Sequence, residues 1–325
     1  MIRKHILVTG GTGFLGRSLV EALVIAGHRV RVLDDDSRGS IRKLGETAQR
    51  VEIFSGDIRD GSAVRRALDG VDTVFHLAYI NGTEFFYTRP DEILEVAVKG
   101  MINILDGCLA VKTGELFLAS SSEVYQNPPQ VPTDESAPLS IPDVLNPRYS
   151  YGGGKIISEL LALNYARRHF KRVVVFRPHN VYGPDMGREH VLPQFSLRLR
   201  KLFLESPEGI PNFPIQGTGQ ETRAFIHVGD FTRALLLLLE KGQHMGIYHI
   251  GAEEEISVAD LARLTAWEGF GRKIRVVPGP LLEGSPSRRC PHIGKMCALG
   301  FRPLTSLQKG VGETARWYAQ AFAAD

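Results

Sequence analysis

The sequence predicts an α/β protein: a doubly wound parallel sheet followed by a smaller, loop-rich C-terminal α/β domain. Three observations predict it. Short β-rich runs alternate with amphipathic helical stretches over the first 180 residues, a glycine-rich turn joins the first run to the first helix, and the rhythm changes after about residue 180. Strands that alternate with helices form βαβ units, and right-handed crossovers then place helices on both faces of a Rossmann-like sheet.

The β-rich runs are "HILVTG", "RVRVLD", "VEIFSGD", "DTVFHLA", "ELFLAS" and "RVVVFRP". Between most of them lie helical periods such as "FLGRSLVEALVIAG" and "PDEILEVAVKGMINILDGCLA". Beyond residue 180, Pro and Gly become frequent in "VYGPDMG" and "LESPEGIPNFPIQGTGQ", and the elements shorten towards a last helix, "SLQKGVGETARWYAQAF". The expected division is 1–180 and 181–325, with residues about 220–245 returning to the first domain.

At 325 residues the chain suits one large or two unequal domains, and 43% hydrophobic with 23% charged residues is ordinary for a soluble protein. A net charge of +3, scattered among acids, suits a phosphorylated small molecule and gives no case for nucleic acid. The longest apolar run, "ALLLLLE", is too short to span a bilayer, so no membrane association is expected. Cys108, Cys290 and Cys297 form neither a CxxC nor a ligand-spaced cluster, which favours a reduced, cytoplasmic chain without a bound metal.

The turn "TGGTGFLG" places Gly10, Gly13 and Gly16 in a GxxGxxG pattern after a strand and before a helix. Gly10 permits the turn, Gly13 lets backbone approach a pyrophosphate, and Gly16 allows close helix–strand packing. The free N–H groups at Phe14 and Leu15 then face the phosphates. Asp34 ends the second strand, where a carboxylate accepts from adenosine ribose hydroxyls and repels a 2′-phosphate, so NAD is expected. Arg38 argues the other way, as a cation that a 2′-phosphate needs. Asp57 and Ile58 end the third strand and can border the adenine, although Asp57 can equally cap the next helix.

Further along, Tyr151 and Lys155 stand four apart at a helix start and so share a face. A phenol near its ordinary pKa of ~10 is a poor base at neutral pH, and a nearby ammonium lowers that value. A hydroxyl opposite the tyrosine would orient a substrate alcohol, and "SSSEVYQ" supplies candidates.

With "TGGTGFLG", "GDIRD", "HLA", "SSSEVY", "YxxxK", "RPHNVYGP", "GTGQETRAFIHVGD" and "RRCPHI" in this order, the chain resembles the extended short-chain dehydrogenase/reductases of the nucleotide-sugar epimerase/dehydratase family nearly end to end. The resemblance implies an NAD-binding first domain, with Leu77 and Ala78 of "HLA" on the cofactor, and a second domain that binds a nucleoside-diphosphate sugar. It makes Tyr151 the acid/base at the sugar 4-hydroxyl, Lys155 its partner and a ribose ligand, and Ser121 the third member. Ser122 and Glu123 fall where dehydratases and decarboxylases carry their extra acid and base, while Asn180, Arg223 and Arg289 match diphosphate-binding positions. It also implies a homodimer through a four-helix bundle.

Glu123 favours chemistry at C5 or C6, and so a 4,6-dehydratase-type lyase, with uronate decarboxylation next. Epimerisation, simple reduction and a catalytically silent NAD-binding regulator are the alternatives. Three departures stand out: Ala97 where an Asn is common, Gln126 where a Gly is usual, and the glycines of "YGGGK", which are expected to admit cofactor or sugar close to the helix or to lie in a loosely constrained first turn.

Overall fold

The computed structural model describes residues 2–280 and 287–322. Its centre is a seven-stranded parallel sheet built from β1 (His5–Thr9), β2 (Arg29–Asp34), β3 (Glu52–Ser55), β4 (Thr73–His76), β5 (Glu115–Ala119) and β6 (Arg172–Pro178), with a last strand from the second half of the chain. β1 and β5 are buried along their whole length, as continuous apolar runs of a two-sided sheet must be.

Helix α1 (Phe14–Ile25) follows β1, α2 (Gly61–Leu68) follows β3, and α3 (Thr83–Thr88) and α4 (Pro90–Glu95) follow β4. A single wide turn, Val96–Gly100, joins α4 to α5 (Met101–Val111). The stretch read as one helix is therefore one irregular helix, and a Cβ at Gly100 would run into the Ile58 side chain. Asp60, not Asp57, caps α2, accepting from the Ser62 amide at 2.7 Å. α6 (Ser150–His169) carries the tyrosine and lysine and precedes β6.

The second lobe holds β7 (Val181–Tyr182), α7 (Val191–Glu205), β8 (Asn212–Pro214), β9 (Thr222–Ala224) and β10 (Ile226–His227). The chain then runs through α8 (Val228–Lys241) into β11 (Gly246–Ile250), and β11 pairs with β6 in the main sheet. This seventh strand is not among the six runs read from the sequence. Phe231, Leu235 and Leu238 of α8 pack into the core that holds Leu19 and Leu23 of α1.

β12 (Glu255–Ser257), α9 (Val258–Phe270), β13 (Arg275–Val277), β14 (Arg288–Arg289), α10 (Gly294–Ala298) and α11 (Leu307–Ala321) complete the chain. The second lobe has its own core, with Phe195, Phe213, Leu261, Val311 and Tyr318 at its centre.

The sheet order β11-β6-β5-β4-β1-β2-β3 reverses direction between β1 and β4. In such sheets the loops at the carboxyl ends of the strands splay apart at this reversal and leave a crevice. Every segment singled out in the N-terminal half, from Gly10 to Glu123, leaves a strand on that side.

Candidate active site

A cavity of about 810 Å³ opens at the crevice. Gly10, Gly13 and Gly16 form its floor, Asp34, Asp57 and Ile58 one end, and Leu77, Ala78, Ser121, Ser122, Glu123, Tyr151 and Lys155 the middle; Asn180 and Arg289 come from the far side.

The glycine turn carries one requirement at each position. Gly10 has φ +70°, and a Cβ there would meet the Ala78 backbone at 2.8 Å. A Cβ at Gly16 would overlap the Gly10 carbonyl oxygen. At Gly13 the nearest protein atom would be 3.4 Å away, so this glycine leaves room above the helix end rather than serving packing. No side chain among the described residues caps α1, and its first residues, Phe14, Leu15 and Gly16, line the crevice, leaving their N–H groups without a side-chain cap. An uncapped helix end with an open glycine fits a dinucleotide pyrophosphate.

At the end of β2, Asp34 accepts from the amides of Thr12 and Asp36, both at 2.9 Å. Burial raises its pKa, while those amides pull it back. Asp57 is held by Arg59, whose Nη2 lies 2.6 Å from its carboxylate. Arg38 is committed elsewhere: it pairs with Glu189 and stacks over Phe85 at 4.7 Å.

The proton-handling end is dry. Tyr151 is buried, stacked on Phe86 at 4.8 Å between ring centroids and edge-on to Tyr79 at 5.2 Å. Burial pushes its pKa up to about 12, against a hydrogen bond with Ser121 that lowers it. Lys155 donates to the Ala119 carbonyl at 2.8 Å and sits 3.6 Å from the Tyr79 ring centroid. Burial brings its pKa down to about 7. The expected lysine-driven lowering of the phenol is therefore not the balance in this structure: the ammonium is 5.9 Å from the Tyr151 ring centroid, and desolvation dominates both groups.

The other end is ionic. Ser121 caps a short turn, Ser122–Val124, by accepting from the Glu123 amide at 3.2 Å. Ser122 is buried beside it. The Glu123 carboxylate pairs with Arg289, which arrives 166 residues later in sequence on β14. Burial works to raise the Glu123 pKa, but Arg289 and the charges of Arg148 and Arg223 hold it below the usual value. Arg289 Nη2 is buried with no hydrogen-bond partner among the described residues.

Arg223 sits opposite Arg289 in the β9–β14 register and donates to the Thr222 carbonyl at 2.8 Å. Among the described residues the cavity wall includes Arg289 but not Arg223. Burial and the Arg289 charge bring its pKa down to about 10. Asn180 adopts φ +42°, a conformation Asn tolerates, and ties itself to the Ala224 carbonyl at 2.8 Å. His190 lines the cavity, while His179 lies buried behind Asn180 with both ring nitrogens unpartnered.

Gly152 and Gly153 lie in the first turn of α6, as one of the two readings expected, and none of the three buried glycines lines the cavity, so they do not admit a ligand to the helix. Protein atoms crowd Gly152 and Gly154. A Cβ at Gly152 would lie 2.8 Å from the Glu123 carbonyl oxygen, and one at Gly154 would meet the Tyr79 hydroxyl and Ala97. They bring the helix against the Glu123 turn and the aromatic wall. Gln126, at φ +53°, donates back to the Glu123 carbonyl at 2.6 Å.

Sequence reading missed Tyr79, Phe86 and Arg148. Tyr79 directly follows "HLA" and could have been suspected from that position; Phe86 and Arg148 carry no pattern of their own. No group of His, Cys, Asp and Glu among the described residues is placed to hold a metal, and no helix among them is long and apolar enough to cross a membrane.

The family profile described as NAD dependent epimerase/dehydratase family matches residues 6–251. The chain is 32% identical to a dTDP-4-dehydro-6-deoxy-D-allose reductase of Streptomyces bikiniensis, over 97% of this chain and 96% of the relative. It is 30% identical to a UDP-N-acetyl-alpha-D-glucosaminuronate decarboxylase of Bacillus cytotoxicus, over 98% and 99%. Among solved structures, the dTDP-glucose 4,6-dehydratase of Streptomyces venezuelae with NAD bound superposes with a TM-score of 0.85 at 28% identity, covering 98% of each chain.

Proposed function

This chain belongs to the NAD-dependent epimerase/dehydratase family, and from that premise we propose that it reshapes a nucleoside-diphosphate hexose through a transient 4-keto intermediate, as a 4,6-dehydratase-type lyase. The NAD dependence comes with the family. The observation that carries the lyase reading is the Glu123 carboxylate, two residues beyond the serine that bonds Tyr151 and facing the same cavity.

Gly10, Gly13–Gly16, Asp34, Asp57–Ile58, Leu77–Ala78 and Lys155 would hold NAD, which would supply a hydride acceptor at the sugar C4. In this reading Ser121 orients the 4-hydroxyl and Tyr151 takes its proton. A phenol with its pKa near 12 is protonated when free, so Tyr151 passes its own proton on as it takes the hydroxyl's, and the neutral amine of Lys155, whose pKa burial brings down to about 7, is the acceptor that balances the transfer. A C4 ketone acidifies C5–H, and Glu123, kept ionised by Arg289, is the base within reach. Ser122 sits beside it to hydrogen-bond the departing C6 oxygen, which takes up the proton that Glu123 removed from C5 and leaves as water. Asn180 and Arg223 are assigned to the diphosphate and Arg289 to the junction of diphosphate and sugar.

Decarboxylation of a nucleotide uronic acid is favoured by a different observation. The unpartnered Arg289 Nη2 is a guanidinium donor of the kind that suits a C6 carboxylate. Incubation with a panel of nucleotide sugars followed by mass spectrometry separates the cases. Loss of water supports the first reading and loss of carbon dioxide the second. An unchanged mass with a new NMR spectrum means epimerisation, and stoichiometric NADH consumption means a reductase; either overturns both.

The working unit is proposed to be a homodimer. Leu94, Ile102, Ile157 and Leu160 expose apolar side chains on α4, α5 and α6, with Leu160 57% exposed. An apolar face of this kind on neighbouring helices suits pairing with a second copy. Light scattering on Leu160→Glu, which should yield monomer, tests it.

A further inference from the structure

The loop between β7 and α7 carries two acids that reach across to the cofactor side of the cavity. Asp185, at φ +62°, is bonded by Arg17 of α1 at 3.1 Å and by Lys43 at 2.8 Å. Glu189 pairs with Arg38, four residues beyond Asp34, and its carboxylate lies against Gly82 and Gly187, where any Cβ would crowd it. Burial works to raise the Glu189 pKa, but its own amide and Arg38 hold it below the usual value, so the acid is charged. Each of the three cations is thereby matched by an acid from residues 185–189.

The arrangement bears on which dinucleotide the cavity accepts. Arg38 lines the cavity beside Asp34, Asp35 and Ser37, on the segment that borders an adenosine ribose in this fold. A free guanidinium there would bind a 2′-phosphate with charge-assisted hydrogen bonds. Arg38 has its charge consumed by Glu189 and its face covered by Phe85. We infer that Glu189 is a cofactor-specificity residue: by pairing with Arg38 across the two lobes, it withholds a cation close to Asp34 that would otherwise favour NADP over NAD.

Asp34 alone would repel a 2′-phosphate, yet an adjacent unpaired arginine would offset that repulsion. The Glu189 contact removes the offset. It acts on binding and leaves the chemistry at Ser121, Tyr151 and Glu123 untouched.

The test is dinucleotide binding to the full chain stripped of bound nucleotide, followed by the fluorescence of NADH and NADPH. Glu189→Ala should tighten NADPH about tenfold, the scale of one charge-assisted contact at a partly exposed site, and change NADH less than twofold. Adding Arg38→Ala to that variant should return NADPH to the wild-type value, because the gain comes from the freed guanidinium. Glu189→Gln, which keeps the shape and removes the charge, should reproduce the direction of Glu189→Ala. The inference is overturned if NADPH affinity does not change. It is equally overturned if NADH and NADPH weaken in parallel, which is the result expected of a contact that only holds the loop closed.

Discussion

The two ends of the cavity are both buried, and burial disfavours charge at each, yet their charge states come out opposite. At Lys155 desolvation outweighs the one opposing charge named for it, Glu159, and at Tyr151 the Glu123 charge adds to it, so each is driven towards its neutral form: the phenol rises to about 12 and the ammonium falls to about 7. Around Glu123 burial also disfavours charge, but Arg289, Arg148 and Arg223 outweigh it and the carboxylate stays ionised. The sign of a pKa shift in a closed site follows from whether a counter-charge was buried with the group. One end thereby holds two neutral groups and the other a fixed charge, which is the division of labour the proposed reaction needs.

The comparison breaks most sharply at the dry end. Tyr151→Phe removes the buried phenol that bonds Ser121, and turnover should fall by about 10²–10⁴, with NAD binding unchanged; steady-state kinetics on the panel substrate checks it. Glu123→Gln should cost about 10² in product formation while C4 oxidation persists, visible as transient NADH absorbance without product. Should product form at the normal rate, the ionic end has no part in the chemistry.

Smaller effects sharpen the contrast. Gly152→Ala drives a Cβ to 2.8 Å from the Glu123 carbonyl, a rigid backbone atom, and should cost about 1–3 kcal/mol, read as a drop in Tm of a few degrees. Gly153→Ala meets only the end of Ile141 at 3.3 Å and should leave Tm nearly unchanged. The neighbouring glycines thus report whether the helix is fitted against the ionic end in particular.

The pH dependence differs as well. Lys155 releases its proton near 7 when folded and near 10.5 when unfolded, so the unfolded chain binds more protons between those values. Its contribution to stability therefore rises with pH across that window, by at most about 1.4 kcal/mol per pH unit. Lys155→Met should flatten that rise in a Tm-against-pH series. Glu123 has a depressed folded value, so its contribution is present above the ordinary 4.5 and is lost as pH falls through that lowered value.

How much of this was legible in the chain depends on distance along it. Gly10, Gly13 and Gly16 revealed their separate roles through position alone, because each requirement is local to one strand–turn–helix. Tyr151 and Lys155 were legible through a four-residue spacing on one helix face. Tyr79 and Phe86 were not, since an aromatic wall around a tyrosine has no fixed offset from it. Asp57 stood between two readings until Asp60 was seen to hold the helix cap. The α6 glycines were legible as unusual and as lying near the helix start, but not as packing positions, because the neighbours of Gly152 and Gly154 come from Glu123, Gln126, Tyr79 and Ala97 on other elements.

By itself the sequence determined the parallel sheet, the dinucleotide turn and the tyrosine–lysine pair. Those features rest on hydrophobic period and short spacings, which physics reads over a few residues. Tertiary structure alone decided that Glu123 meets Arg289, that Arg38 meets Glu189, and that Lys155 sits dry beneath Tyr79. Those meetings join residues from 76 to 166 positions apart. Their charge states depend on what else was buried with them, which no local pattern encodes.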